Sequence, residues 1–360
     1  MESFDPSENL PEQIRVSLGS AVVLGLAEAK LDVAPTTIYI MTYRQEKCTA
    51  NCRFCPQARE SNARVDMLSR VSWPAYRTPE VLKGIIDAAR GGRIRRVCIQ
   101  ALNYPEVFTD LYAIVRMVSQ SARVPISVSC QPHNVENMRR LANAGVERVG
   151  IPLDAATEEL FDRMKGVGAR GPYDWKKQWE LLKRAKKIYG EGKVSTHLIV
   201  GLGETDEEIV GTIQKCVDLA VLPALFAFTP IPGTPLGNET QPQIKRYRRI
   251  QTARHLILHR FVRCEDMSFY GNGSISDFGV GEGTLRKIIQ TGEPFLTSGC
   301  PDCNRPFYNE KLSGPIYNFP RKLTPEEVSV AKNQLTERKG AAHSDNERSC
   351  IAGKDDPLSA

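Results

Sequence analysis

Short runs of β-branched and aromatic residues alternate along this chain with longer stretches whose apolar positions recur at helical spacing. The run Thr37-Ile38-Tyr39-Ile40-Met41-Thr42 reads as a first buried strand. A helix is expected near 79–91, opening at Thr78-Pro79-Glu80 and closing at Gly91-Gly92. Strands follow at 94–100, 125–130, 146–153, 194–200, 222–228 and 261–269, with a last apolar stretch at 294–298. Between them lie helices at 105–121, 134–144, 173–189, 205–219, 243–259 and 283–290. Strict alternation implies a parallel sheet with right-handed crossovers. Eight such units would close into an α/β barrel of the TIM type, (β/α)8, complete or partial, with its site at the C-terminal strand ends. Residues 1–35 read as an N-terminal helical extension, with Leu18, Val22, Val23, Leu26 and Ala27 at helical spacing and Ala34-Pro35 as its stop. The expected division is therefore the extension, a barrel over 36–300, a cysteine-bearing C-terminal extension over 301–337, and a polar tail over 338–360 without order.

Composition narrows the class. A 360-residue chain could hold two average domains or one barrel with extensions. With no apolar run near 18 residues and no leader pattern, the expectation is a soluble, cytoplasmic protein. In that compartment ten cysteines favour metal ligation over a disulfide framework. The net charge of +6 is spread along the chain, so it suits an anionic cofactor or acidic partner and is too weak to argue for nucleic acid, which is not expected as a partner.

The chemistry concentrates just after the first strand, in Lys47-Cys48-Thr49-Ala50-Asn51-Cys52-Arg53-Phe54-Cys55-Pro56-Gln57. Three residues separate Cys48 from Cys52, and two separate Cys52 from Cys55. That spacing lets one loop wrap three thiolates around an iron–sulfur cube and leaves the fourth iron without a protein ligand, whereas ferredoxin clusters take four cysteines. Structural zinc needs four ligands, and the next cysteine, Cys98, is alone. A second element, Val200-Gly201-Leu202-Gly203-Glu204-Thr205, sets two glycines at a strand-to-helix turn, with Thr205 as a helix cap.

The Cys-x3-Cys-x2-Cys loop with Phe54 before its third cysteine resembles the signature of the radical SAM superfamily. The resemblance implies a 4Fe–4S cluster on Cys48, Cys52 and Cys55. Its open iron would bind S-adenosylmethionine (SAM), which is cleaved reductively to a 5′-deoxyadenosyl radical, with Phe54 against the adenine. Gly201, Gly203 and Glu204 resemble the family's adenine-supporting turn, although His197 stands where that element begins with glycine. Asp154 resembles the ribose-contacting carboxylate, with a helix-capping role as the alternative.

Further stretches, among them Arg96-Val97-Cys98-Ile99-Gln100-Ala101, Ser129-Cys130 and Gly233-Thr234-Pro235-Leu236, follow the order of biotin synthase. That family holds a second cluster with three cysteines and an arginine. Cys98 and Cys130 match two of the cysteines, but Ser195 and Ser268 stand at the other two places, which speaks against biotin synthesis itself. Other thiols offer a replacement. Cys264 would end the seventh strand and Gly299-Cys300-Pro301-Asp302-Cys303 would follow the eighth, so Cys264, Cys300 and Cys303 are expected to converge on an auxiliary 4Fe–4S cluster. The alternative is a core Cys264 beside a zinc-type or free cysteine pair.

The segments 299–308 and 314–320 are similar to the biotin-synthase-like subunits of archaeal two-component lipoyl synthases. That likeness implies a sulfurtransferase acting on an octanoyl chain of a lipoyl carrier protein (an E2 lipoyl domain or the glycine cleavage H protein). It also implies a second radical SAM subunit and a ferredoxin- or flavodoxin-type reductant. Two other readings stay open: a biotin-synthase-like radical SAM mutase or maturase without sulfur insertion, and a non-catalytic iron–sulfur or zinc protein. Several features read as structural. The pair His255 and His259 lacks the glutamate of a zinc protease, the lysines of 173–189 form a solvated face, Cys216 packs in the core, and Cys350 lies idle in the tail. His133 and His197 could touch SAM or substrate, and Arg44, Lys47, Arg53 and Arg59 could steer an anion toward the loop.

Overall fold

A computed structural model describes residues 10–310, 314–336 and 348–349. The chain enters through β1 (Gln13–Val16) and a short helix, α1 (Leu18–Val23), so the N-terminal extension contains a strand where only helix was expected. β2 (Thr37–Thr42) is buried at all six positions, as expected of a strand covered on both faces. The cysteine loop follows, then a hairpin of β3 (Met67–Leu68) and β4 (Val71–Ser72), and then β5 (Ala75–Arg77). β1 lies antiparallel between β2 and β5.

Regular alternation begins there: α2 (Thr78–Arg90), β6 (Arg96–Gln100), α3 (Val107–Ser121), β7 (Ile126–Ser129), α4 (Val135–Ala144) and β8 (Val146–Gly150). Next come α5 (Glu158–Lys165), α6 (Trp175–Tyr189), β9 (Val194–Val200), α7 (Asp206–Asp218), β10 (Val221–Ala227) and α8 (Ile244–Leu258). Local chemistry sets several of these boundaries. The Asn134 side chain accepts from the Asn137 amide to start α4, and Thr205 with Glu208 forms a reciprocal capping box on α7. The sheet order is β10-β9-β8-β7-β6-β2-β1-β5. Six strands, β2 and β6 to β10, are parallel and lie in chain order, the winding of a barrel and not of a doubly wound sheet.

The two last expected strands do not join this sheet. In 261–269 the Asp266 carboxylate accepts from the Arg263 amide and turns the chain into a 3-10 helix at Cys264–Asp266. The next element, β11 (Ser268–Phe269), pairs with β12 (Ile275–Asp277) and β13 (Arg348–Ser349) in a separate small sheet. After α9 (Glu282–Thr291), Pro294 lies in a further 3-10 turn, Glu293–Phe295, and no strand forms at 294–298. Irregular chain takes the place of those strands. The Ser298 hydroxyl accepts from the Leu225 amide of β10, while Asp302 and Asn304 bond Thr36 just before β2. Segment 298–305 therefore bridges the outer edge of β10 to the start of β2. α10 (Pro325–Thr336) packs on α8. Apart from β13, the tail over 338–360 lies outside the described residues.

Candidate active site

A cavity of about 270 Å³ opens at the C-terminal ends of the parallel strands. Each of the six contributes to its wall, through Tyr39, Cys98, Ser127, Gly150, Ser195 and Ala224 among others. The cysteine loop stands over its mouth, held mainly by backbone hydrogen bonds. The Cys48 amide donates to Gln57, Thr49 to Asn103, and Arg53 to the Met164 carbonyl at 2.9 Å. The Asn103 amide points at the Cys48 sulfur at 3.1 Å. Lys47 donates to the carbonyls of Pro56 and Ala63, and Arg59 to those of Thr49 and Arg170. These two cations brace the loop and do not stand free to steer an anion.

Gly233 closes the loop from below. Its φ is +88°, its carbonyl accepts from the Asn62 amide, and a Cβ there would lie 2.5 Å from the Ala63 nitrogen. Cys48, Cys52, Cys55 and Phe54 all line the cavity. Burial pushes the thiol of Cys55 up to about 12 and raises those of Cys48 and Cys52. Such thiols ionise when a bound cation compensates, which is the donor chemistry a cluster requires.

A second thiol group lies deeper. Cys98 is the middle residue of β6, flanked across the sheet by Tyr39 and Ser127. The bridging segment brings two thiols to those flanking residues: Cys303 Sγ lies 3.3 Å from the Tyr39 hydroxyl and Cys300 Sγ 3.4 Å from Ser127 Oγ. Cys98, Cys300 and Cys303 thus surround one patch of the wall, all three with free thiols. Arg305 joins them: its guanidinium carbon is 3.8 Å from the Phe226 ring centroid and its amide donates to the Tyr39 hydroxyl. Its positive charge lowers the thiols of Cys98 and Cys303 against the upward push of burial. No trio of His, Cys, Asp or Glu among the described residues closes on one point as ligands of a single ion do. The corners of an iron–sulfur cube lie further apart and ask for a wider triangle.

Cys264 is not part of this group. It is buried in the 3-10 turn below α7, takes no place in the cavity wall, and is disulfide-bonded; its amide donates to Gln214. The reason is the missing seventh strand, which was to carry it to the mouth. Cys130 reaches the wall one strand beyond Cys98, and burial raises its thiol to about 12. Cys216 is fully buried on α7.

The turn after β9 is built from within. Glu204 accepts the amides of Gly201 (2.7 Å) and Leu202 (2.9 Å), and Arg246 bridges it to Asp206. Gly201 and Gly203 hold φ of +106° and +119°. None of Gly201, Gly203 and Glu204 lines the cavity, whereas Phe54 packs beside Ile199, Leu202 and Phe228 next to this turn. Glu204→Ala strands two amides, while Arg246 keeps Asp206, so a loss of about 3 kcal/mol in urea unfolding is expected.

Asp154 does face the cavity and is ion-paired with the buried Lys165, which sequence reasoning missed. A lone lysine at the end of a short charged helix carries no signal in sequence. His197 lines the wall with its pKa lowered to about 4 by burial, so its ring is neutral near pH 7. His133 bonds Asn103, and His255 of α8 packs at a tilt against His259 just past the helix end, away from the site.

Comparison with known proteins accords with this arrangement. The sequence model of the radical SAM superfamily matches residues 42–216. The chain is 28% identical over 206 residues to a biotin synthase of Sulfurihydrogenibium sp., covering 53% of this chain and 55% of that protein. It is 26% identical over 228 residues to a biotin synthase of Hydrogenobaculum sp., covering 62% and 63%. It is also 30% identical over 169 residues to a GTP 3′,8-cyclase of Picosynechococcus sp., covering 46% and 47%. The chain thus spans about half to two-thirds of the length of these relatives. Residues 42–216 match a radical SAM domain, and that domain implies a 4Fe–4S cluster and SAM as cofactors. No helix among the described residues is long and apolar enough to cross a membrane.

Proposed function

We propose that this radical SAM enzyme, biotin-synthase-like in its domain, is a sulfurtransferase that inserts sulfur into an unactivated C–H bond of a carrier-bound octanoyl chain. The observation that supports it is the second thiol group, Cys98, Cys300 and Cys303, in the wall of the cavity over which Cys48, Cys52 and Cys55 stand. The first trio would hold the SAM cluster and the second an auxiliary 4Fe–4S cluster, with Arg305 as its neighbouring cation. When bound, these groups supply a carbon-centred radical able to take hydrogen from a methylene, and sulfide to fill the vacated position.

The chain's own residues do the rest. Met41, Trp73, Leu102, Ile199 and Phe228 give an apolar wall suited to a methylene chain, which has no polar group to bind. The neutral His197 adds no charge there. Tyr39 and Ser127 hold the second thiols on the sheet, within reach of a chain in the same cavity, as proximity demands. The expected partners are a lipoyl carrier protein, a second radical SAM subunit and a small iron–sulfur or flavin reductant, in the cytoplasm. After anaerobic turnover with an octanoyl-lysyl peptide, mass spectrometry should find one or two added sulfurs. Unmodified peptide alongside 5′-deoxyadenosine release would instead favour a mutase or maturase.

A further inference from the structure

Buried charge concentrates at one point of the cavity, where Asp154 meets Lys165, a residue to which no family resemblance assigns a role. Lys165, the last residue of α5, is 1% exposed. Its ammonium lies 2.6 Å from Asp154 Oδ2 and 2.9 Å from the Pro152 carbonyl. The rings of Phe161 and Tyr173 stand 5.4 and 4.9 Å away. A buried ion pair is a poor stabilising device, because desolvation offsets most of its attraction. Asp154 also holds φ of +68°, a left-handed conformation uncommon outside glycine, though aspartate reaches it more readily than most residues. Its backbone is fixed on both sides, donating to the His197 carbonyl and accepting from the Ile199 amide, each at 2.8 Å. Strain and buried charge together at a cavity wall mark a geometry set in advance for a ligand.

The same helix end grips the cysteine loop. The Met164 carbonyl accepts from the Arg53 amide, between Cys52 and Cys55. The Asn51 side chain donates to the Ala169 carbonyl at 2.8 Å, and Arg59 reaches Arg170. Residues 164–170 therefore tie the three-thiol loop to Asp154, and Lys165 is the link.

We infer that Lys165 is a positioning residue: it fixes the Asp154 carboxylate relative to the cysteine loop, so that Oδ1 accepts a hydrogen bond from a ribose hydroxyl of SAM. Asp154 Oδ1 has no hydrogen bond among the described residues, while Oδ2 is taken by the lysine. The ammonium gives two of its three donors to these oxygens and faces aromatic rings, so it orients the carboxylate. The inference rests on radical SAM membership and on the ribose reading of Asp154. It is independent of sulfur insertion, so either can fail alone.

The test uses anaerobically reconstituted full-length protein and measures Kd for SAM and for its 2′-deoxy and 3′-deoxy analogues by equilibrium dialysis. In the wild type, loss of the contacted hydroxyl should weaken binding about tenfold, the worth of one charge-assisted hydrogen bond. Lys165→Met should weaken SAM binding about tenfold and bind that deoxy analogue as well as SAM, with iron content unchanged. Asp154→Asn should behave alike, and the double variant should be no weaker than either single one, because the two residues act as a unit. Wild-type protein indifferent to both missing hydroxyls overturns the inference whether or not the variants fold. Lys165→Met that still discriminates, or losses that add in the double variant, overturn it too.

Discussion

Cys98→Ser is expected to halve the iron of the reconstituted protein, from about eight to about four atoms per chain, the content of one 4Fe–4S cluster. Cys98 sits mid-strand between the residues that hold Cys300 and Cys303, so its loss removes the central corner of that group. The cysteine loop is tied to other elements, at Asn103, Met164 and Gly233, and should keep its cluster. Reductive cleavage of SAM should therefore persist while sulfur incorporation falls to background. Cys264→Ser is the matched control: that residue lies in a turn under α7 and not in the wall, so iron should stay at about eight. If Cys98→Ser keeps all its iron, or Cys264→Ser loses half, the second thiol group has been drawn from the wrong residues.

How much of this was legible in the sequence depends on the range of the interactions. The cysteine loop and the capped turn at Thr205 are local, and spacing alone placed them after strands. The six parallel strands were legible as short apolar runs set between helical patterns, most plainly β2, whose β-branched and aromatic run is buried on both faces. The seventh and eighth were misread because an apolar run does not reveal that a carboxylate three residues on will cap it into a turn, as Asp266 does for Arg263. That one misreading carried Cys264 into the second group and left Cys98 as a lesser alternative. Lys165 and Arg305 were invisible for a different reason. Their roles exist only once the fold brings separate elements together, Lys165 at the end of α5 onto the loop residue Asp154 and Arg305 onto Phe226 of β10.

The bridging segment depends on a single buried arginine, and the largest expected loss of stability lies there. Arg248 on α8 is 1% exposed. It donates to the carbonyls of Ile316 (2.5 Å) and Tyr317 (2.6 Å) and to the side chains of Gln251 and Gln334. Phe295 and Phe319 pack near its guanidinium at 5.2 and 5.3 Å. Burial lowers its pKa to about 10, which still leaves it charged near pH 7. Phe319 is in turn laced by backbone bonds to Phe295 and Thr297, three residues before Cys300. Arg248→Met would leave the Ile316 carbonyl and two amide side chains without their donor in a dry site, and the Tyr317 carbonyl with Gln251 alone, a cost of about 3–5 kcal/mol. Lysine should not rescue it, since one ammonium cannot span four acceptors that a planar fork reaches together. Because Phe319 anchors Phe295 and Thr297 at the root of the segment that presents Cys300 and Cys303, the variant should also lose the second cluster before the first. Urea unfolding and iron counting on the same preparation check both halves. A variant that unfolds at the wild-type midpoint, or loses stability with all its iron in place, would separate that anchor from the thiols it is argued to hold.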